Sequence, residues 1–123
     1  MNGFNRNQCY SRKQIHGVLR GSLESYLPTF NGVVVAGCFR QDTNPDAPAV
    51  ILPGNGPRIR ESAELFASSA VIIPVFIKRT VNKWCYVGNF RVSRLSTDQD
   101  EIRKHTNKTG RMDVSCVLYL DEV

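Results

Sequence analysis

Apolar residues in this chain occur in short runs, separated by polar segments that contain glycine or proline. Two of these runs, Val33 to Phe39 and Ala49 to Leu52, flank the polar loop 40–46. Runs rich in β-branched residues and bounded by Gly, Pro, Asn or Asp predict two strands joined by a loop. The first run is apolar on both faces, so we expect a buried central strand rather than an edge. The acidic, amide-rich loop that follows it is the expected place for a selective site.

Helical spacing appears in three other segments. Ser11 and Gln14 have the spacing of a capping box, and apolar residues follow them at helical intervals as far as the stop at Gly21. Pro57 follows a glycine-rich turn and predicts the start of an amphipathic helix over 57–69. Ser/Thr caps and acidic residues predict a short helix or a structured excursion over 96–105.

The clearest hairpin is predicted for 71–79 and 84–95, and a final strand is predicted from Val114 to Leu120. Strict alternation places four residues of the second hairpin strand on one face: Trp84, Tyr86, Phe90 and Val92. Such a face can stack bases, but we expect it to pack in the core. About five strands with two or three short helices predict an α+β fold, built around a curved or closed, mainly antiparallel β-barrel.

Length and charge limit the function classes. With 123 residues, the chain is expected to form one domain, 1–123, and 41% hydrophobic residues exclude disorder as the default. The net charge of +5 and the pI of about 9.3 favour a polyanionic partner. The N-terminus has no apolar signal-peptide core, and no apolar run approaches the roughly 20 residues that cross a bilayer. No membrane partner is expected.

The four cysteines form no close-set pair and no cluster with histidine. They are Cys9, Cys38, Cys85 and Cys116. A zinc site needs such pairs to build its tetrahedron, so we expect no metal and no cofactor. Free thiols in apolar strands act as small core residues, which favours a reduced, cytoplasmic protein. His16 and His105 have no partner that the sequence identifies.

Four stretches, taken in order, resemble the SRA (YDG) domain. VVVAGCFRQD, ending at Asp42, resembles the family's strand and loop Gly-Gly-Tyr-Glu-Asp-Asp, and ILPGNG, from Ile51, resembles Thr-Tyr-Thr-Gly-Ser-Gly. PVFIKR, from Pro74, resembles Pro-Val-Arg-Val-Val-Arg. YVGNFRV, from Tyr86, resembles the Tyr-Asp-Gly-Ile-Tyr-Lys-Val segment behind the name YDG. The family has a PUA-like barrel and recognises modified cytosine in DNA by flipping the base out.

The resemblance implies a domain that binds double-stranded DNA carrying a modified base, 5-methylcytosine or 5-hydroxymethylcytosine above all. It implies a pocket with Phe39 and Leu52 as its walls and Asp42 as acceptor for the cytosine amino group. The full set of expected pocket residues is Gly37, Cys38, Phe39, Asp42, Leu52 and Pro53. The expected contacts to the DNA backbone are Arg40, Asn55, Arg58, Arg60, Lys78 and Arg79. On this hypothesis, Asp42→Ala abolishes the preference for modified DNA and leaves weak, salt-sensitive binding.

The chain departs from the family pattern at three places. Leu52 replaces the second stacking aromatic, Val87 replaces the aspartate of Tyr-Asp-Gly, and 57–69 is too short for the long finger loop of eukaryotic members. These differences leave the target base and the route of flipping open.

Two other function classes remain. A PUA-like RNA-binding module has the same barrel and charge, and a cysteine enzyme would use Cys38 or Cys85 as nucleophile with His16 as base. Burial raises a thiol pKa, so the enzyme is the least favoured. Bacterial SRA-like domains are commonly joined to a nuclease in restriction enzymes that act on modified DNA. The resemblance therefore implies a C-terminal nuclease partner for a chain that forms the N-terminal part of a longer protein, a natural end being the alternative.

Overall fold

A computed structural model describes residues 3–123 of the chain. It contains three helices, a six-stranded sheet and a two-stranded sheet. The helices are α1 (Arg12–Leu19), α2 (Pro57–Ser68) and α3 (Gln99–Thr106). The strands are β1 (Cys9–Tyr10), β2 (Thr29–Phe30), β3 (Val33–Val34), β4 (Gly37–Phe39), β5 (Val50–Ile51), β6 (Ile73–Thr80), β7 (Lys83–Ser96) and β8 (Val117–Glu122).

The large sheet is open and mixed. Its strand order is β4-β6-β7-β8-β5, with β1 also paired to β7, while β2 and β3 form the separate hairpin. β4 runs parallel to β6 and the other pairs are antiparallel. The predicted α+β class is confirmed, but within residues 3–123 the terminal strands β4 and β5 are not paired and no closed barrel forms.

The two strands predicted to be central lie instead at the two ends of the strand order. The run from Val33 is also interrupted, since β3 belongs to the hairpin and β4 to the large sheet. β4 stays buried because its free edge is covered: the Cys38 amide donates a 2.8 Å hydrogen bond to the Tyr26 carbonyl. An apolar run therefore indicated burial correctly, but it did not distinguish a central strand from a covered edge.

All three predicted helices form, and their caps explain their starts. Ser11 and Gln14 make the predicted capping box at α1, with the Gln14 amide donating to Ser11 Oγ at 3.1 Å. α2 begins with Pro57 at its first position, as predicted, and buries Ala63 and Phe66. α3 begins after Asp98, whose carboxylate accepts from two backbone amides of the first turn.

A β-bulge in β7 divides the aromatic residues between two hydrophobic clusters. Val75 pairs with Gly88 and Phe76 with Tyr86, so one extra residue in β7 reverses the alternation. Tyr86 consequently packs with Trp84, Phe4 and Phe76, while Phe90 packs in the main core. The prediction of one shared aromatic face is wrong, and the expectation that these rings lie in the core is confirmed.

A disulfide joins Cys9 to Cys85 across the paired strands β1 and β7. The expectation that all four cysteines are free is therefore wrong for these two, because the antiparallel register brings them directly opposite each other. Cys38 and Cys116 are free and buried. Disulfides are rare in the cytosol, so this bond is unusual for the predicted compartment. Within residues 3–123, no helix has the length and apolar character needed to cross a membrane.

Candidate functional site

The larger of two adjoining clefts has a volume of about 770 Å³ and lies between α2, the segment 22–29 and the end of β5. Its walls are mainly apolar, formed by Tyr26, Leu27, Ile51, Leu52, Pro53, Ile59 and Leu65. Charged side chains also line it: Glu24, Arg58, Glu61 and Arg111. A mostly apolar cleft of this size with a few polar groups is typical of a site for a small molecule or a single base.

The smaller cleft, about 460 Å³, is also lined by residues of the segment 22–29. Four residues line both clefts: Glu24, Tyr26, Thr43 and Asn44. The rest of its lining includes three basic side chains, Arg12, Arg40 and Lys78, and the indole of Trp84. The two clefts therefore differ in character, since the larger is mainly apolar and the smaller combines apolar residues with three basic side chains.

Asn44 fixes the loop that both clefts share. Its side chain is buried, and its Oδ1 accepts a 2.7 Å hydrogen bond from the buried amide of Leu52. Its Nδ2 donates to the Arg40 carbonyl at 3.3 Å. One side chain thus ties the loop after β4 to the end of β5, and Asx side chains are well suited to such backbone bonds.

Arg111 also ties this loop to the end of β5. Its Nη1 donates to the carbonyls of Thr43, at 3.0 Å, and Leu52, at 2.8 Å. The remaining nitrogens of the guanidinium pair with Asp113, whose pKa is lowered by the hydrogen bonds from Arg111. Gly54 lies so close to Asp113 that a Cβ there would stand 2.9 Å from the carboxylate. Asn44 and Arg111, with the backbone groups of Thr43 and Leu52 that they bind, form the polar floor of the larger cleft, and these hydrogen bonds hold it rigidly.

The six predicted pocket residues do not share one cavity. Leu52 and Pro53 line the larger cleft, and Cys38 and Phe39 line the smaller. Gly37 lines neither: the ring of Phe39 folds over it, and a Cβ on Gly37 would lie 2.7 Å from that ring. Phe39 itself is only 1% exposed. Tyr26 is the aromatic residue that lines both clefts, and burial raises the pKa of its hydroxyl.

Asp42, the predicted acceptor for the base, lines neither cleft. Its carboxylate is largely exposed and accepts from the Nε of Arg40 at 3.1 Å. The hydrogen bonds from Arg40 lower the pKa of this carboxyl. By contrast, Glu24 lines both clefts, and its carboxylate has no ion pair within residues 3–123.

Three of the six predicted backbone-contact residues line the clefts. Arg58 lines the larger cleft, and Arg60 is exposed one half-turn further along α2. Arg40 and Lys78 line the smaller cleft, and Arg79 follows Lys78, with its Nη1 donating to Gln41 Oε1 at 2.9 Å. Asn55 is exposed in the turn before α2. Predicted basic contacts therefore line each of the two clefts.

Sequence reasoning missed several residues of the clefts. They are Arg12, Glu24, Tyr26, Asn44, Trp84 and Arg111. Only Asn44 carried a local signal, as an amide before proline in a loop. The others come from segments far apart in the chain, and periodicity does not show which of them converge.

The thiols of the alternative enzyme hypothesis are in unsuitable states. Cys85 is held in the disulfide, and burial raises the pKa of Cys38 to about 12. His16 Nδ1 lies 2.7 Å from the carbonyl of Gly21. Within residues 3–123 there is also no group of three His, Cys, Asp or Glu side chains suited to a metal ion.

A further polar cluster joins α3 to the sheet. The hydroxyl of Tyr119 donates to Glu101 at 2.6 Å and lies 3.1 Å from His105 Nε2. Arg94 donates to the second Glu101 oxygen at 3.0 Å and stacks over the Tyr119 ring. Hydrogen bonds from Arg94 and Tyr119 lower the pKa of Glu101 to about 2. The cluster lines neither cleft and anchors the helix.

Comparison with models of known protein families, with curated proteins and with solved structures gives no significant match. The geometry of the two clefts and the pattern of the sequence are therefore the basis for a functional conclusion.

Proposed function

We propose that this chain is a non-catalytic DNA-binding domain that holds a modified base, 5-methylcytosine or 5-hydroxymethylcytosine above all, in the larger cleft. The observation that carries the proposal is the cleft itself: about 770 Å³, mainly apolar, and flanked by basic side chains. A flipped base needs apolar walls for its faces and polar groups for its edge. The finer fold assignment, a PUA- or SRA-like domain, is part of this proposal.

The walls of the cleft suit a planar aromatic ligand. Tyr26 presents a partly buried ring, held in place because its hydroxyl donates to the Ile59 carbonyl at 2.6 Å. Leu52 and Pro53 lie on the β5 side. Stacking a base on an aromatic side chain stabilises binding by roughly 1–3 kcal/mol. Unstacking that base from the duplex costs a few kcal/mol, so further contacts are required.

Two carboxylates are candidates for the edge of the base. A carboxylate accepts a hydrogen bond from the cytosine amino group. Glu24 lines the cleft without an ion pair, whereas Asp42 would first have to leave Arg40. We therefore assign the acceptor role to Glu24 and keep Asp42 as the competing prediction.

Basic side chains supply the backbone contacts. Within residues 3–123, Arg58, Arg60 and Lys78 have no ion pair, so each is available to a phosphate. Each phosphate contact lowers the slope of log K against log[salt] by about 0.9. Binding is therefore expected to weaken steeply with salt for all sequences, while the cleft supplies the preference for the modified base.

Fluorescence polarisation at fixed, near-physiological salt tests the proposal. Matched duplexes carry cytosine, 5-methylcytosine, 5-hydroxymethylcytosine or N6-methyladenine, and a matched RNA is included. A preference of at least about tenfold for one modified cytosine, or 1.4 kcal/mol, supports the proposal. Equal binding to all duplexes refutes it, and tighter binding to RNA favours the RNA-binding alternative.

Two variants then identify the acceptor. Glu24→Gln is expected to remove most of the preference, because an amide presents a donor as well as an acceptor to the amino group. Asp42→Asn is expected to keep it. The reverse result would return the role to Asp42. A cytoplasmic location and a nuclease partner remain predictions, which fractionation and the full-length reading frame would test.

A further inference from the structure

The smaller cleft contains a buried cation that lacks an anionic partner. Arg12 is 9% exposed, and within residues 3–123 no carboxylate pairs with it. A buried charge is normally paired, because its removal from water is costly. Arg12 is the first helical residue of α1, so the helix fixes its position.

The contacts of Arg12 leave the N–H groups of two of its three guanidinium nitrogens free. Its Nη2 donates to the carbonyls of Ser22 and Ser25, both at 2.9 Å, and its guanidinium lies 5.2 Å from the centre of the Trp84 ring. Nε and Nη1 donate to no described residue, and neither is fully buried, since every fully buried side-chain nitrogen or oxygen has a partner. The guanidinium therefore presents free N–H groups to the cleft that it lines.

A second cation converges on the same indole. The ammonium of Lys78 lies 5.6 Å from the centre of the Trp84 ring, and Lys78 is the cross-strand neighbour of Trp84. Like Arg12, it has no ion pair within the described chain. Arg40 adds a third basic side chain, neutralised in part by Asp42, and Glu24 supplies the acidic group of the lining.

We infer that the smaller cleft is a binding site for a phosphate group, with Arg12 and Lys78 as its principal contacts. A guanidinium with free N–H groups suits the oxygens of a phosphate, and the lysine adds a point charge. An anion here would compensate the buried charge of Arg12. The inference rests on the proposed function for the source of that group: the backbone phosphate next to the base in the larger cleft, since Glu24, Tyr26, Thr43 and Asn44 line both cavities.

Selective removal of single phosphate charges tests this site. Duplexes carrying 5-methylcytosine are made with a neutral methylphosphonate at either phosphate next to the modified base. For the wild-type chain, affinity is expected to fall at least about tenfold at one of these positions. For Lys78→Gln the loss at that position is expected to be at least about threefold smaller than for the wild-type chain, because one of the two principal contacts is already missing.

Lys83→Gln is the matched control, since Lys83 is an exposed lysine of the same hairpin that lines neither cleft. It is expected to keep the full methylphosphonate effect. Arg12→Gln is expected to behave like Lys78→Gln, and circular dichroism checks that it folds. If Arg12→Gln does not fold, the comparison of Lys78→Gln with Lys83→Gln decides the test.

Trp84 is the single tryptophan of the chain and lines the smaller cleft, so its emission reports on the same site. The site is supported if inorganic phosphate changes the Trp84 emission saturably and Lys78→Gln removes that change. If the methylphosphonates then leave the DNA affinity unchanged, the site is assigned to a free phosphate. No response to phosphate and no methylphosphonate effect overturn the inference. If a methylphosphonate lowers the DNA affinity but the chain shows no preference for a modified base, the proposed function is refuted and the phosphate site is retained.

Discussion

Replacement of Asn44 by alanine tests whether one buried amide holds the two clefts in shape. The substitution removes the acceptor of the Leu52 amide, a buried 2.7 Å hydrogen bond, and the donor to the Arg40 carbonyl. A buried donor without a partner costs about 1–3 kcal/mol, and the second bond contributes about 1 kcal/mol. We therefore expect Asn44→Ala to lower the free energy of unfolding by about 3 kcal/mol, a sum of these two effects.

Urea unfolding, followed by circular dichroism, measures this change. The transition midpoint is expected to fall with little change in the m-value, because the buried surface stays similar. Asn55→Ala is the control, an exposed asparagine in the next loop, and should change stability by less than about 0.5 kcal/mol. If Asn44→Ala lowers the free energy of unfolding by less than about 1 kcal/mol, the Leu52 amide finds another partner. That result would refute the idea that Asn44 holds the polar floor rigid.

Three further predictions concern other parts of the chain. Gly37→Ala forces a Cβ into the Phe39 ring and should lower the unfolding free energy by about 1–3 kcal/mol in the same urea assay, and an unchanged midpoint would show that the ring can move aside. The pKa of Glu101 is lowered from 4.5 to about 2 in the folded chain, so the stability that this carboxylate adds is present above pH 4.5 and is lost as the pH falls toward 2. Glu101→Gln should flatten that part of a plot of unfolding free energy against pH. An identical plot would contradict the role of the hydrogen bonds from Arg94 and Tyr119 to Glu101. Cys38, with its pKa raised to about 12 by burial, should resist iodoacetamide at neutral pH until urea unfolds the chain, and rapid labelling of the native protein would revive the nucleophile hypothesis.

Local signals predicted the local structure well. The capping box at Ser11, the proline start of α2 and the hairpin of β6 and β7 follow from side-chain chemistry within a few residues, and the structure contains all three. Such features depend on hydrogen bonds and dihedral preferences that neighbouring residues decide. They required no knowledge of the rest of the fold.

Features set by tertiary contacts were not predictable in the same way. Alternation placed Tyr86 and Phe90 on one face, but the bulge beside Gly88, whose φ is +132°, reverses the parity. The pairing of Cys9 with Cys85 depends on a register between residues 76 positions apart. The alternation of residues along one strand carries no information on an extra residue inserted opposite a neighbouring strand.

The candidate site shows the same division. The sequence drew attention to the residues around Phe39 and Leu52, and both lie at the clefts. It indicated Asn44 only as part of the polar loop 40–46, and it did not indicate Tyr26 or Arg111, whose roles arise because distant segments meet. The type of a residue indicates what chemistry it can do, whereas the fold decides which residues from distant segments lie together in one cleft.

The hydrogen bond from the Cys38 amide to the Tyr26 carbonyl means that entry of a ligand into the clefts and pairing of β4 with another chain depend on the same segment. The segment that carries Tyr26 serves as the missing neighbour of β4, so it is both a wall of the clefts and the cover of a strand edge. A ligand that entered by pushing this segment away would expose unpaired backbone groups, the template on which chains join edge to edge. Selection against aggregation would therefore favour clefts that stand open before binding and admit their ligands through side-chain movement alone.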